Sequence, residues 1–379
     1  MRPNNRLPRR AFLKGTASLG AGVAAGLAGE ALAKTAAKEP AKKPKLEKRN
    51  AKPGVVYKRL GRTNFMVSAV SFGGVGFKPP GIPVFDAAVD RGMNFAMIHA
   101  GSSSNTLAEW LKKSGNRERI FLGLRASPTQ VDSLLKSMKT DCVDMLMVTG
   151  HNVSAATNEK VREQFEALKK AGKARSLCLV FHSNVPAVFK AGVEAGWYDV
   201  LLPTYNFPSR KDLKPMIAAA KAKDLGLLTM KSMRSLPKGT NFVSAAKTFL
   251  DDGIDSVVRS IGNASQLAEY WKAAVVDDKT PPAKAAQVDT CGQCTLCGAC
   301  CPCPDGVAIQ DVLRTYQYYA QDLGWLEEAC RQYSAIPLSA LPTACTDCGR
   351  CERLCPQSLP IRKLIAEAHA ELAYDLAHR

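Results

Sequence analysis

Ser176-Leu177-Cys178-Leu179-Val180-Phe181 is followed by Val185-Pro186-Ala187-Val188-Phe189-Lys190-Ala191-Gly192-Val193-Glu194-Ala195 and then by Val200-Leu201-Leu202-Pro203-Thr204. A short apolar run, an amphipathic stretch of helical length and a second apolar run read as strand, helix, strand. The same alternation continues outward in both directions. It predicts strands over 67–72, 94–98, 120–124, 143–148, 176–181, 200–204, 226–230 and 256–261. Helices are expected around 84–91, 106–114, 130–139, 160–171, 185–195, 210–224, 242–252 and 265–274. Eight strand-helix units in one run predict an α/β fold, a (β/α)8 TIM barrel over 57–280. A doubly wound open sheet is the alternative that this pattern leaves open.

Of the 379 residues, 46% are apolar and 23% charged, which excludes a disordered, collagen-like or coiled-coil chain. No stretch has the roughly 18 to 20 uninterrupted apolar residues of a transmembrane segment. The net charge of +18 is uneven: residues 1–33 carry +4 and residues 34–59 carry +8. The basicity therefore belongs to the leading segment, and no nucleic-acid partner is expected for the body. Arg9-Arg10-Ala11-Phe12-Leu13-Lys14, a Gly/Ala-rich stretch and Ala31-Leu32-Ala33 follow in order. They resemble a twin-arginine signal peptide over 1–33, cut before Lys34. That implies a periplasmic or other extracytoplasmic protein, exported folded with its cofactor already inserted. Residues 34–56 read as a disordered basic linker, with peripheral contact to anionic headgroups as its only membrane role.

Eleven of the thirteen cysteines fall between Cys291 and Cys355. Clustering at spacings of three points to metal rather than to a disulfide scaffold. Cys345, Cys348, Cys351 and Cys355-Pro356 form C-x2-C-x2-C-x3-C-P, the bacterial ferredoxin run, whose fourth thiolate ligates the other of two clusters. Zinc ribbons use two pairs of ligands instead. The first run allows two registers, Cys291, Cys294, Cys297, Cys301 or Cys294, Cys297, Cys300, Cys303. The second is preferred, because an Ile opening a helix lies six residues past both Cys303 and Cys355. The metal ligands are then Cys294, Cys297, Cys300 and Cys355 for one 4Fe-4S cluster. Cys345, Cys348, Cys351 and Cys303 serve a second. Cys291 and Cys301 are spare, and Cys330, in a helical insert over 311–332, is read as buried. Tyr316, Tyr318, Tyr319 and Trp325 in that insert are read as core packing. Residues 288–379 are thus expected to form a small, mainly α-helical ferredoxin-type iron–sulfur domain.

Tyr57-Lys58-Arg59-Leu60-Gly61-Arg62-Thr63, Phe72-Gly73-Gly74, Gly92-Met93-Asn94-Phe95, Thr140-Asp141-Cys142-Val143-Asp144, Gly172-Lys173-Ala174-Arg175 and Tyr205-Asn206 resemble, in order and spacing, the aldo/keto reductases. The cysteine runs resemble the members of that family with a C-terminal ferredoxin-type domain. The resemblance implies NAD(P) and a catalytic Asp, Tyr, Lys and His. Those four positions hold Met97, Ser102, Arg125 and Thr149. A serine has no reason to protonate an alkoxide at neutral pH, and an arginine hardly titrates. His99, His151 and Lys231 are the nearest titratable candidates to replace them. Met230 stands where the family's nicotinamide-stacking Tyr would be, and the Gln that holds the carboxamide falls near Leu202. Gly262-Asn263-Ala264-Ser265-Gln266 reads either as a phosphate-gripping loop or as an ordinary helix N-cap. Gly73-Gly74-Val75-Gly76 reads as a tight strand-end turn.

Three readings follow. One is an exported iron–sulfur oxidoreductase whose two clusters exchange electrons with a barrel site. A second is a pure electron carrier with the barrel as docking scaffold. The third is an NAD(P)H-dependent carbonyl reductase. The expected partner is a redox protein or a small-molecule electron donor or acceptor.

Overall fold

The structure, a computed structural model, describes residues 45–74, 81–234, 236, 240–283 and 292–373. The expected leader over 1–33 lies outside them. Eight parallel strands close into a barrel: β1 Val70–Gly73, β2 Phe95–His99, β3 Phe121–Arg125, β4 Val143–Thr149, β5 Ala174–Phe181, β6 Val200–Pro203, β7 Gly226–Thr229 and β8 Ser256–Arg259. Each pairs with the next and β8 with β1, which excludes the open sheet. Helices α1 Ile82–Asp90, α2 Ser102–Leu111, α3 Val131–Met138, α4 Glu159–Lys170, α5 Val185–Ala195, α6 Phe207–Ala222, α7 Phe242–Asp251 and α8 Ala264–Trp271 surround it. Asn206, Asn241 and Asn263 cap α6, α7 and α8 through their side-chain oxygens, the role short polar side chains take at helix starts.

The barrel interior is packed rather than hollow. Met97, Met145, Met147, Cys178, Val180, Leu202 and Met230 fill it. Its N-terminal floor is closed by the antiparallel strands Tyr57–Arg59 and Phe65–Ser68, whose Phe65 stacks on Phe121 at 4.5 Å. The expected strand over 67–72 is thus two elements, a floor strand and β1, which meet at Ala69. The expected spacer ends earlier than residue 56. Strand Glu47–Lys48 pairs in parallel with Phe65–Ser68, and Arg49 reaches the buried Asp144. Leading-segment charge is used there to satisfy a carboxylate, so residues 45–56 belong to the barrel.

Past the barrel come α9 Ile309–Leu313, a π-helix Arg314–Asp322, α10 Leu326–Ser334 and α11 Ile361–Leu372. Ile309 and Ile361 open helices at corresponding places, as their spacing predicts. This C-terminal module has its own core, around Val312, Leu313, Tyr333, Ile361 and Ile365. It nonetheless forms one compact unit with the barrel. The insert is not one regular helix. The wide winding over Arg314–Asp322 and the break at Leu323–Gly324 bring Tyr318 and Tyr319 to the barrel mouth.

Candidate functional site

The two cysteine runs share a backbone. In Cys294-Thr295-Leu296-Cys297-Gly298 and Cys345-Thr346-Asp347-Cys348-Gly349, the third residue and the glycine are left-handed in both. The φ values are 59° at Leu296 and 60° at Asp347, 88° at Gly298 and 67° at Gly349. In both, the N–H of the third residue donates to the sulfur of the first, at 3.4 Å. The repeat aligns Cys294 with Cys345, and with it Cys297 with Cys348 and Cys300 with Cys351.

Two small cavities lie against these runs. Cys294, Cys297, Cys300 and Cys355 line the first. Cys303, Cys345, Cys348 and Cys351 line the second, with Cys300 at its wall as well. The cysteine before proline in each run therefore faces the other run's three. Cys301 lines neither; its sulfur accepts from Gln310 Nε2 at 3.1 Å. Cys330 sits on α10 at the edge of the module's core. Cys291 lies outside the described residues. Among the described residues, no group of three or more His, Cys, Asp or Glu closes on a single metal ion. A four-iron cubane makes a different demand, four thiolates spread around a shared volume, and four soft donors about each cavity fit it. Burial pushes the Cys294 thiol up to about 11; a bound metal would take the proton's place there.

The first run hangs from the barrel. Arg234 Nη1, just past β7, donates to Cys294 O at 3.1 Å, and Gln317 Oε1 accepts from Cys294 N at 2.8 Å. Leu296 O accepts from Val185 N at the start of α5. A Cβ at Gly298 would lie 2.7 Å from Asn184 Oδ1, so the run is seated flush on the β5–α5 loop. Gln310 and Asp311 of α9 bond the same loop through Asn184 and Ser183.

Where the module meets the barrel mouth, a pocket lies between the strand ends and the π-helix. Arg125, His182, Lys231 and Arg259 project from the ends of β3, β5, β7 and β8, and Tyr318, Tyr319 and Trp325 cover them. Tyr318 and Tyr319 thus serve as pocket walls in addition to packing on the module core, as their reading as core residues expects. Tyr316 packs in the module core too. Lys231 Nζ lies 4.6 Å from the Tyr318 ring centre and 5.3 Å from that of Tyr319. Burial and the neighbouring Arg314 hold the Lys231 amine well below its ordinary range, and His182 likewise. Burial, reinforced by Arg125, pulls His99 down to about 3. His151, whose ring centre is 4.2 Å from that of His182, is pulled down to about 4 by burial. His99 Nε2, His151 Nδ1 and His182 Nδ1 are buried without hydrogen-bond partners among the described residues.

The four positions carried over from the family form no acid–base group. Met97 is buried in the barrel interior and Ser102 opens α2. Arg125 Nε donates to Thr149 Oγ1 at 3.0 Å, so two of the four do touch. In the loop before α8, Asn263 Oδ1 accepts from Gln266 N and Gly262 N donates to Gln266 Oε1, the N-cap arrangement. A Cβ at Gly74 would lie 2.4 Å from Met97 O, a close approach that requires glycine in the turn after β1. Sequence reasoning passed over His182, Arg259 and Arg314. The available signal was position: the first two stand at or next to the C-terminal end of a strand, where barrel sites are built.

No protein-family model matches the chain, and no curated protein matches it. Solved structures do. A protein from Pseudomonas aeruginosa described as an aldo-keto reductase is 23% identical, with a TM-score of 0.50, over 58% of this chain and 94% of its own. The holo form of an aldo-keto reductase from Bacillus halodurans is 16% identical, with a TM-score of 0.50, over 61% of this chain and 93% of its own. What is shared at these identities is the fold.

Proposed function

We propose that this chain is an iron–sulfur oxidoreductase on an aldo-keto reductase fold. In this reading the C-terminal module holds two 4Fe-4S clusters and the barrel mouth holds the substrate. The observation that carries it is the gathering of eight cysteines about two cavities, Cys294, Cys297, Cys300 and Cys355 at the first and Cys303, Cys345, Cys348 and Cys351 at the second, with Cys300 on the wall between them. Clusters of this kind store and pass single electrons when bound. The chain's own part is to supply the thiolates and the N–H donors of Leu296 and Asp347. Such hydrogen bonds to sulfur stabilise the anionic form and tune the potential. Arg234 and Gln317 bond the backbone of Cys294, which ties the first run, in this reading, to the mouth side of the module.

The fold likeness favours a second reading, NAD(P)H-dependent carbonyl reduction. The residues fit a nicotinamide poorly. Met230 replaces the stacking ring, Asn263 is engaged as a helix cap, and no general acid stands at the expected place. A positioned acid contributes roughly a hundred- to ten-thousand-fold in rate. Purified protein given NADPH and a panel of aldehydes should therefore turn over near background, while dithionite should bleach its visible absorption. Turnover of about 1 per second or faster supports the second reading instead. Export by the twin-arginine route and a redox partner outside the cytoplasmic membrane belong to the same proposal. Replacing Arg9-Arg10 by two lysines should leave the precursor inside the cell, and unchanged export would refute this part.

A further inference from the structure

The barrel mouth is cationic in a way that the packing does not compensate. Of the residues lining the pocket, Arg125, Lys231 and Arg259 are basic and none is acidic. Lys231 is only 5% exposed and its Nζ has no hydrogen-bond partner among the described residues. His182, 4% exposed, has an unpartnered Nδ1 on the same wall. Behind them Arg314, also 5% exposed, leaves Nη1 without a partner among the described residues and pairs with Asp311 at 3.4 Å. Buried charge is ordinarily paired, because taking an ion out of water costs far more than a neutral group. Lysine can escape by shedding its proton; Arg125, half-buried on the same wall, keeps its charge at any ordinary pH. Lys231 also holds a left-handed backbone, φ 53°, a strained setting for a residue with a side chain. Strain, burial and an unmet donor on one residue that faces a cavity mark a binding position rather than a packing one.

We infer that the pocket binds a small oxyanion-bearing molecule, a carboxylate or a phosphate, held by Lys231, Arg125 and His182 beneath Tyr318. Its oxygens would accept from Lys231 Nζ and a His182 ring nitrogen and would offset the charge of Arg125. The inference rests on reading the barrel mouth as the substrate site, and it does not depend on the cluster ligands.

The experiment is calorimetric titration of the full chain, purified anaerobically, with malonate and separately with inorganic phosphate, against sodium chloride at equal ionic strength. One saturable site per chain for malonate or phosphate is expected, and the stronger of the two names the source. Lys231→Met and Arg125→Met should each weaken it by about tenfold or more, the size of one lost charge-assisted contact. Iron content and melting temperature, measured on the same samples, keep the outcomes apart. Anion binding without iron would refute the cluster reading and leave this one standing. No saturable heat with either anion, equal affinity in both folded variants, or displacement of the anion by NADPH at lower concentration would overturn it.

Discussion

Asp144 has no solvent exposure, yet it carries a charge that three arginines share. Arg49, Arg117 and Arg175 reach its carboxylate at 2.9, 2.9 and 2.7 Å, and Leu122 N donates to it at 2.8 Å. Breaking a buried pair by deleting one partner costs about 3–5 kcal/mol. The arginine side chains keep 17%, 20% and 39% of their surface in water, which places the cost near the lower end. Asp144→Ala should therefore lose about 3 kcal/mol of stability, read from denaturant unfolding of the apo chain. A loss under about 1 kcal/mol would mean that the arginines are content in water. Asp144 stood within a quoted motif, but its role was not legible. Its arginine partners lie 27 to 95 positions away, and one of them, Arg49, fell in a stretch that composition assigns to a spacer.

At the scale of elements, period and spacing carried most of the reading. Seven of the eight barrel strands lie where the apolar runs put them, the first run being split between a floor strand and β1, and both helices after Cys303-Pro304 and Cys355-Pro356 start at the isoleucines. The π-helix was not legible, because its winding depends on contacts that only the assembled mouth provides: Gln317 to Cys294, and Tyr318 and Tyr319 to Lys231. The choice of cysteine register was open from spacing. The repeated left-handed pair after Cys294 and Cys345 favours one answer. Cys303→Ser should lose about half the iron, one cluster of two, and Cys301→Ser should keep nearly all of it. Iron assays on the two variants check this, and the opposite pattern would restore the register ending at Cys301.

At the scale of the whole molecule, barrel and module have separate cores and meet over the barrel mouth. The barrel was readable because each strand-helix unit announces itself locally. The pocket was not, since Arg125, His182, Lys231 and Arg259 lie on four different strand ends and their cover comes from the module. Closure brings them together, and no local pattern records closure. What the account needs most is that eight thiolates of this module hold two cubanes. Full-length protein purified without oxygen should be assayed for iron, acid-labile sulfide and zinc. About eight irons and about eight sulfides per chain are expected, with no stoichiometric zinc. Zinc without sulfide, or iron and sulfide for one cluster only, would contradict it.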